Sequence, residues 1–96
     1  MAAKVTLYTT GFCGYCSRAK SLLSGKNVAF HEVQVDRRPD LRSWLAERSG
    51  QRTIPQVFVN GSALGGYTDL AALDRQGKLD PLLAREPVAS DPEVRT

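Results

Sequence analysis

The chain has 96 residues, 10.5 kDa in mass, with 42% apolar residues and five prolines; that is the size of one globular domain and excludes a multidomain enzyme. Such a chain can bury about 64% of its unfolded surface, enough for one core but not for a second lobe, so any activity must rest on a few residues. Thirteen basic against ten acidic residues give a net charge of +3, and the nine arginines are scattered rather than striped, which excludes a nucleic-acid partner and favours small anionic ones.

Met1 to Tyr8 carries no apolar run of the length a signal peptide or membrane span needs, and Lys4 interrupts it, so the expected location is cytoplasmic with no membrane partner. Lys4-Val5-Thr6-Leu7-Tyr8 alternates and is closed by Thr9-Thr10-Gly11, which predicts a strand and a turn. From Cys13 to Lys26, the residues Cys16, Ala19, Lys20, Leu22 and Leu23 recur at three-and-four spacing and predict a short amphipathic helix ending near Gly25. Phe30 to Val35 is rich in β-branched and aromatic residues and reads as a second strand. A strand-helix-strand unit implies a right-handed crossover between parallel strands.

Pro39 starts a second helix bearing Leu41, Trp44, Leu45 and Arg48, and Gly50 stops it. Gln56-Val57-Phe58-Val59, the turn Asn60-Gly61 and Ser62-Ala63-Leu64 form an antiparallel hairpin. Gly65-Gly66 breaks the sheet, and Thr68 or Asp69 caps a third helix that runs from Leu70 to a stop at Gly77. Leu79 to Ala84 adds a short helical piece. Two prolines, few apolar residues and no period after Arg85 predict a frayed tail. The expected organisation is therefore one domain over residues 1–84 and a flexible tail over 85–96.

Cys13 and Cys16 are the only cysteines. A bridge over two intervening residues constrains the unfolded chain little, and a zinc site lacks ligands because His31 is the only histidine. A C-x-x-C pair where a strand meets a helix points instead to thiol redox chemistry. The attacking species is the thiolate, yet a free thiol with a pKa near 8.5 is only about 3% ionised at pH 7. Unpaired amides and the macrodipole at a helix N-terminus favour the anion, and C-x-x-C thiols placed there fall to about 3.5–7. Cys13, at the start of the helix, is the expected nucleophile. Cys16, one turn in on the apolar face, is the expected resolving thiol, buried and protonated until needed.

This order of elements, with C-x-x-C at the first strand-to-helix junction and Ile54-Pro55 opening the hairpin, resembles the thioredoxin fold. More narrowly it is similar to a glutaredoxin, of the dithiol, bacterial single-domain type. The resemblance is carried by CGYCSRAKSLL at 13–23, TIPQVFVNG at 53–61, GGYTDL at 65–70 and LDRQGKLDPLL at 73–83. It implies an α/β fold with a four-stranded mixed sheet, a parallel pair plus an antiparallel hairpin, flanked by helices. It also implies a cis bond before Pro55 and a glutathione-dependent thiol-disulfide oxidoreductase. Its substrates would be protein–glutathione mixed disulfides and protein disulfides, attacked by Cys13 and resolved by Cys16. Glutathione, as co-substrate, would be held by Tyr15, Arg52, Thr53, Ile54, Pro55, Gly66, Tyr67, Thr68 and Asp69. Asp69 would meet its amino group, and the amides that open the third helix would meet its γ-glutamyl carboxylate.

Two departures from the family pattern bear on function. Many glutaredoxins have a lysine three residues before the first cysteine, for the glycyl carboxylate of glutathione; here that residue is Thr10, and Arg52, with Gln51 or Arg37, could substitute. Many dithiol members have proline where this chain has Gly14. Members with a small residue there include some that share a [2Fe-2S] cluster between two protomers. Beside a monomeric enzyme the resemblance therefore also admits a cluster-bridged dimer with Cys13 as ligand, or a thioredoxin-like reductant fed by a flavoenzyme. Tyr15 and Phe12 are expected to be semi-exposed along the groove, His31 to be an exposed strand residue, and Trp44 to pack on the sheet.

Overall fold

The structure is a computed structural model that describes residues 2–96; Met1, the first residue of the expected domain, lies outside them. The elements are β1 (Val5–Thr9), α1 (Gly14–Gly25), β2 (His31–Gln34), α2 (Pro39–Ser49), β3 (Gln56–Val59), β4 (Ser62–Gly65), α3 (Tyr67–Arg75) and α4 (Leu79–Ala84). The sheet order is β2-β1-β3-β4. β1 pairs parallel with β2, Thr6 opposite His31, and antiparallel with β3, Thr6 opposite Phe58; β3 and β4 form the hairpin. This is the expected thioredoxin fold.

Alternation along the central strands sorts side chains onto two faces. Val5, Leu7, Val57 and Val59 pack with Ala19 and Leu23 of α1, Leu70 of α3, and Leu79 and Leu83 of α4. Tyr8 and Phe58, pointing the other way, pack with Leu41 and Leu45 of α2 and with Val33 and Val35. Trp44 stacks on Phe58 with ring centroids 5.5 Å apart. Because both faces are covered, every residue of β1 is buried, including Thr6 and Thr9.

Where α3 begins differs from expectation. The helix starts at Tyr67 with Gly66 as its N-cap, not at Leu70 behind a Thr68 or Asp69 cap. Asp69 is the third helical residue, and its carboxylate reaches back to accept the Gly66 N–H at 3.0 Å. That is half of a capping box, in which the acidic residue caps from inside the helix.

No helix or strand follows Ala84, yet the last residues have defined partners. Among the described residues α2 is the helix that supplies the second core cluster, and Val94 packs against that cluster beside it. The Tyr8 hydroxyl donates to the Arg95 carbonyl. Arg48 donates to the carbonyl of Glu93 at 3.3 Å, Arg38 to that of Thr96 at 2.8 Å, and Asn60 to that of Arg85 at 2.8 Å. Gly61, at φ +81°, lies under the Pro92 backbone, which any side chain there would strike. So covered, Tyr8 has no exposed surface, and burial pushes its phenol up to about 12 against the opposing charge of Arg48.

Candidate active site

β1 delivers the chain to a loop that is tied down where the Gly11 N–H donates to Asp36, just beyond β2, at 3.0 Å. Cys13 follows in extended conformation as the N-cap of α1. Its sulfur accepts the Cys16 N–H at 3.1 Å, taking the place a serine or aspartate oxygen commonly fills at a cap. The same sulfur lies 3.8 Å from the Ile54 carbonyl oxygen, to which it can donate only as a thiol. As a thiolate it keeps the amide donor, and a helix N-terminus stabilises negative charge there.

The two sulfurs occupy different environments. Cys13 is half-buried, whereas Cys16 is 2% exposed. Burial pushes the Cys16 thiol up to about 11; its hydrogen bond with Cys13 adds to this, and the Thr10 backbone and Lys20 charge oppose it. Lys20 pairs with Glu32 at 2.7 Å, and Thr9 donates to the same carboxylate oxygen at 2.7 Å. Lys20 first and Thr9 second hold the Glu32 carboxyl below its ordinary range.

The Ile54-Pro55 bond is cis. Beside it runs an open groove of about 580 Å³. One wall is Gln51, Arg52, Thr53, Ile54 and Pro55, from the connection between α2 and β3; the other is Gly66, Tyr67, Thr68 and Asp69, from the start of α3; Tyr15 of α1 completes it. The structure thus brings all nine residues expected around glutathione into one groove, and Cys13 stands next to it through Ile54. The walls come close where a methyl group on Gly66 would lie 3.2 Å from the Pro55 carbonyl. Gly65, at φ +102°, has room for no side chain because one would strike the Asp69 carboxylate. Tyr15 and Tyr67 lie 6.1 Å apart, and the Arg18 guanidinium sits 5.3 Å over the Tyr15 ring.

Of the three residues weighed as substitutes for the missing lysine, Arg52 and Gln51 line the groove and Arg37 does not. Phe12, expected along the groove with Tyr15, is fully exposed and lines no part of it. His31 is exposed on β2. The link of Gln51 to both Asp69 and Gln56 was not anticipated; its one trace in the sequence is a glutamine opening an otherwise apolar strand. Among the described residues no group of three or more His, Cys, Asp or Glu could hold a metal ion. A [2Fe-2S] cluster takes four protein or thiol ligands. With Cys16 buried, each chain offers it the one half-exposed sulfur of Cys13, so a cluster here would need a second chain and further thiol ligands such as glutathione.

A capping cysteine, a buried partner three residues on and a cis-proline groove alongside define a dithiol redox site on a thioredoxin fold. A family model described as Glutaredoxin matches residues 5–64. A glutaredoxin of Pseudomonas aeruginosa is 49% identical over 80 residues, which cover 83% of this chain and 95% of that protein. Glutaredoxin 3 of Escherichia coli strain K12 is 48% identical over 81 residues, covering 84% and 98%. Among solved structures, a buckwheat glutaredoxin–glutathione complex matches with a TM-score of 0.78 at 32% identity, over 84% of this chain and 76% of that one. The chain belongs to the glutaredoxin family, whose members are thiol oxidoreductases.

Proposed function

We propose that this glutaredoxin is a glutathione-dependent disulfide oxidoreductase whose substrates are glutathionylated proteins and protein disulfides. The observation that carries this is the Cys13 sulfur capping α1, with the Cys16 N–H 3.1 Å away, beside the groove. The buckwheat relative, whose described form is a complex with glutathione, supports the choice of co-substrate.

The Cys13 thiolate attacks the glutathione sulfur of a mixed disulfide. The old S–S bond breaks, and the protein leaves as a thiolate that takes a proton from water. A second glutathione thiolate then attacks the glutathione held on Cys13, releasing oxidised glutathione and restoring the Cys13 thiolate. With a protein disulfide, Cys13 forms a mixed disulfide with one substrate sulfur. Cys16 gives up its proton and attacks Cys13, the substrate leaves fully reduced, and two glutathiones later open the Cys13–Cys16 bridge.

The groove residues have matching roles. Ile54, next to the cis bond, offers backbone groups to the extended peptide of glutathione. The amides at the start of α3, around Tyr67 and Thr68, receive the γ-glutamyl carboxylate, and Asp69 receives the ammonium. Arg52 takes the glycyl carboxylate through its planar fork, with Thr53, Pro55, Gly66 and Tyr15 shaping the walls. The working unit is residues 1–84, monomeric, in a reducing cytoplasm that keeps both thiols free, with residues 85–96 a tail outside it. Cys13→Ser and Cys16→Ser test the roles. The first should abolish all turnover, and the second should retain deglutathionylation while losing protein disulfide reduction. Equal loss in both variants, or turnover with thioredoxin reductase but not with glutathione, would contradict the proposal.

A further inference from the structure

Gln56 follows Pro55 at the start of β3 and has no exposed surface. Burying a primary amide is unfavourable unless its atoms are bonded, and an apolar residue would suit this strand position. The amide nitrogen is well used: its two hydrogens serve the Thr53 carbonyl at 2.9 Å and the Gln51 side-chain oxygen at 3.0 Å, with the Thr53 hydroxyl at 3.3 Å sharing one of them. Its oxygen is buried without any hydrogen-bond partner. A residue kept for stability alone would not leave that atom orphaned.

The direction of this chain of hydrogen bonds is fixed by chemistry. The Thr53 carbonyl can only accept, so the Gln56 nitrogen must face it. That nitrogen then reaches the Gln51 oxygen, which leaves the Gln51 nitrogen to turn the other way, where it donates to Asp69 Oδ2 at 3.2 Å. Oδ2 also accepts the Gly66 N–H at 3.0 Å. One carboxylate oxygen of Asp69 is thereby doubly occupied, while Oδ1 has no partner among the described residues. The relay crosses from the cis-proline wall of the groove to the α3 wall.

We infer that Gln51 and Gln56 are positioning residues that act through Asp69: Gln56 orients Gln51, and Gln51 holds Oδ2 so that Oδ1 is the oxygen offered to an ammonium group in the groove. This rests on the proposed binding of glutathione, whose γ-glutamyl end carries that ammonium. The relay therefore serves selection for a primary amine in the thiol co-substrate rather than the sulfur chemistry.

The experiment compares one peptide carrying either glutathione or its desamino analogue as the mixed disulfide, and reads the ratio of kcat/KM between the two. The wild type should prefer the glutathione form by about tenfold, equivalent to about 1.4 kcal/mol. Gln51→Glu keeps the shape and the acceptor but places a carboxylate oxygen against Asp69, and Gln56→Met removes the donors from a site of similar size. Both variants should bring the ratio close to one, mainly through KM for the glutathione form. Should Gln56→Met fold poorly, Gln51→Glu, at a half-buried position, carries the test alone. Variants that slow both substrates equally and keep the wild-type ratio would overturn the positioning role while leaving glutathione binding standing. A wild type with no preference would overturn both.

Discussion

Gly65→Ala adds one methyl group at a position that joins the fold to the groove. Gly65 has φ +102°, and the new methyl would run into the Asp69 carboxylate. Holding a non-glycine residue at such a φ costs about 1–3 kcal/mol. If Asp69 yields, its bond to the Gly66 N–H is lost as well; a hydrogen bond to a charged group contributes about 1.5–3 kcal/mol. The combined destabilisation should be about 2.5–6 kcal/mol, read from the urea midpoint at unchanged slope. Displacing Asp69 should also raise KM for glutathionylated peptide while kcat changes less, because the methyl lies on the binding wall and not at Cys13. Stability within about 0.5 kcal/mol of wild type together with an unchanged KM would refute the packing described for this turn.

Removing residues 86–96 should cost about 1–3 kcal/mol, since several hydrogen bonds worth about 1 kcal/mol each are lost and the strap's ordering entropy is recovered. It should also let the Tyr8 phenol, now near 12, ionise closer to 10.0 in an ultraviolet titration; an unchanged titration would mean the strap does not seal that face. In the intact protein the raised Tyr8 value means that the folded state holds its proton more tightly than the unfolded chain. Its contribution is complete below pH 10.0 and fades toward about 12, so unfolding followed against pH should show stability falling across that interval. Glu32 has the opposite sign: its lowered value contributes stability above the ordinary carboxyl value of 4.5 that is lost on acidification. Because Lys20 and Glu32 are 39% and 29% exposed, Glu32→Gln should cost under about 1 kcal/mol at pH 7 and flatten the acid limb.

Strand and helix placement was legible because each element carries its own period and punctuation. Pro39 and Gly50 bracket α2, and Asn60-Gly61 marks the hairpin turn. The start of α3 was displaced because Asp69 looks like a cap but works from the third helical position, a difference made by the conformation of Gly65-Gly66. The course of the final segment was not legible, because its contacts run through backbone carbonyls to Arg38, Arg48, Asn60 and Tyr8, residues distant in sequence. Phe12 reads as a groove residue by proximity to Cys13, but its side chain stands clear of the groove. The Gln51–Gln56 link joins side chains across a cis-proline turn, and nothing in their spacing announces it.

The division of labour between the two sulfurs is tested most directly by alkylating the reduced protein with iodoacetamide from pH 6 to 11 and mapping the label by peptide mass spectrometry. Cys13, the more exposed sulfur, should take up label first, and Cys16 should stay unlabelled until the pH approaches its value of about 11. Labelling of Cys16 at neutral pH, or equal rates at the two positions, would contradict the account.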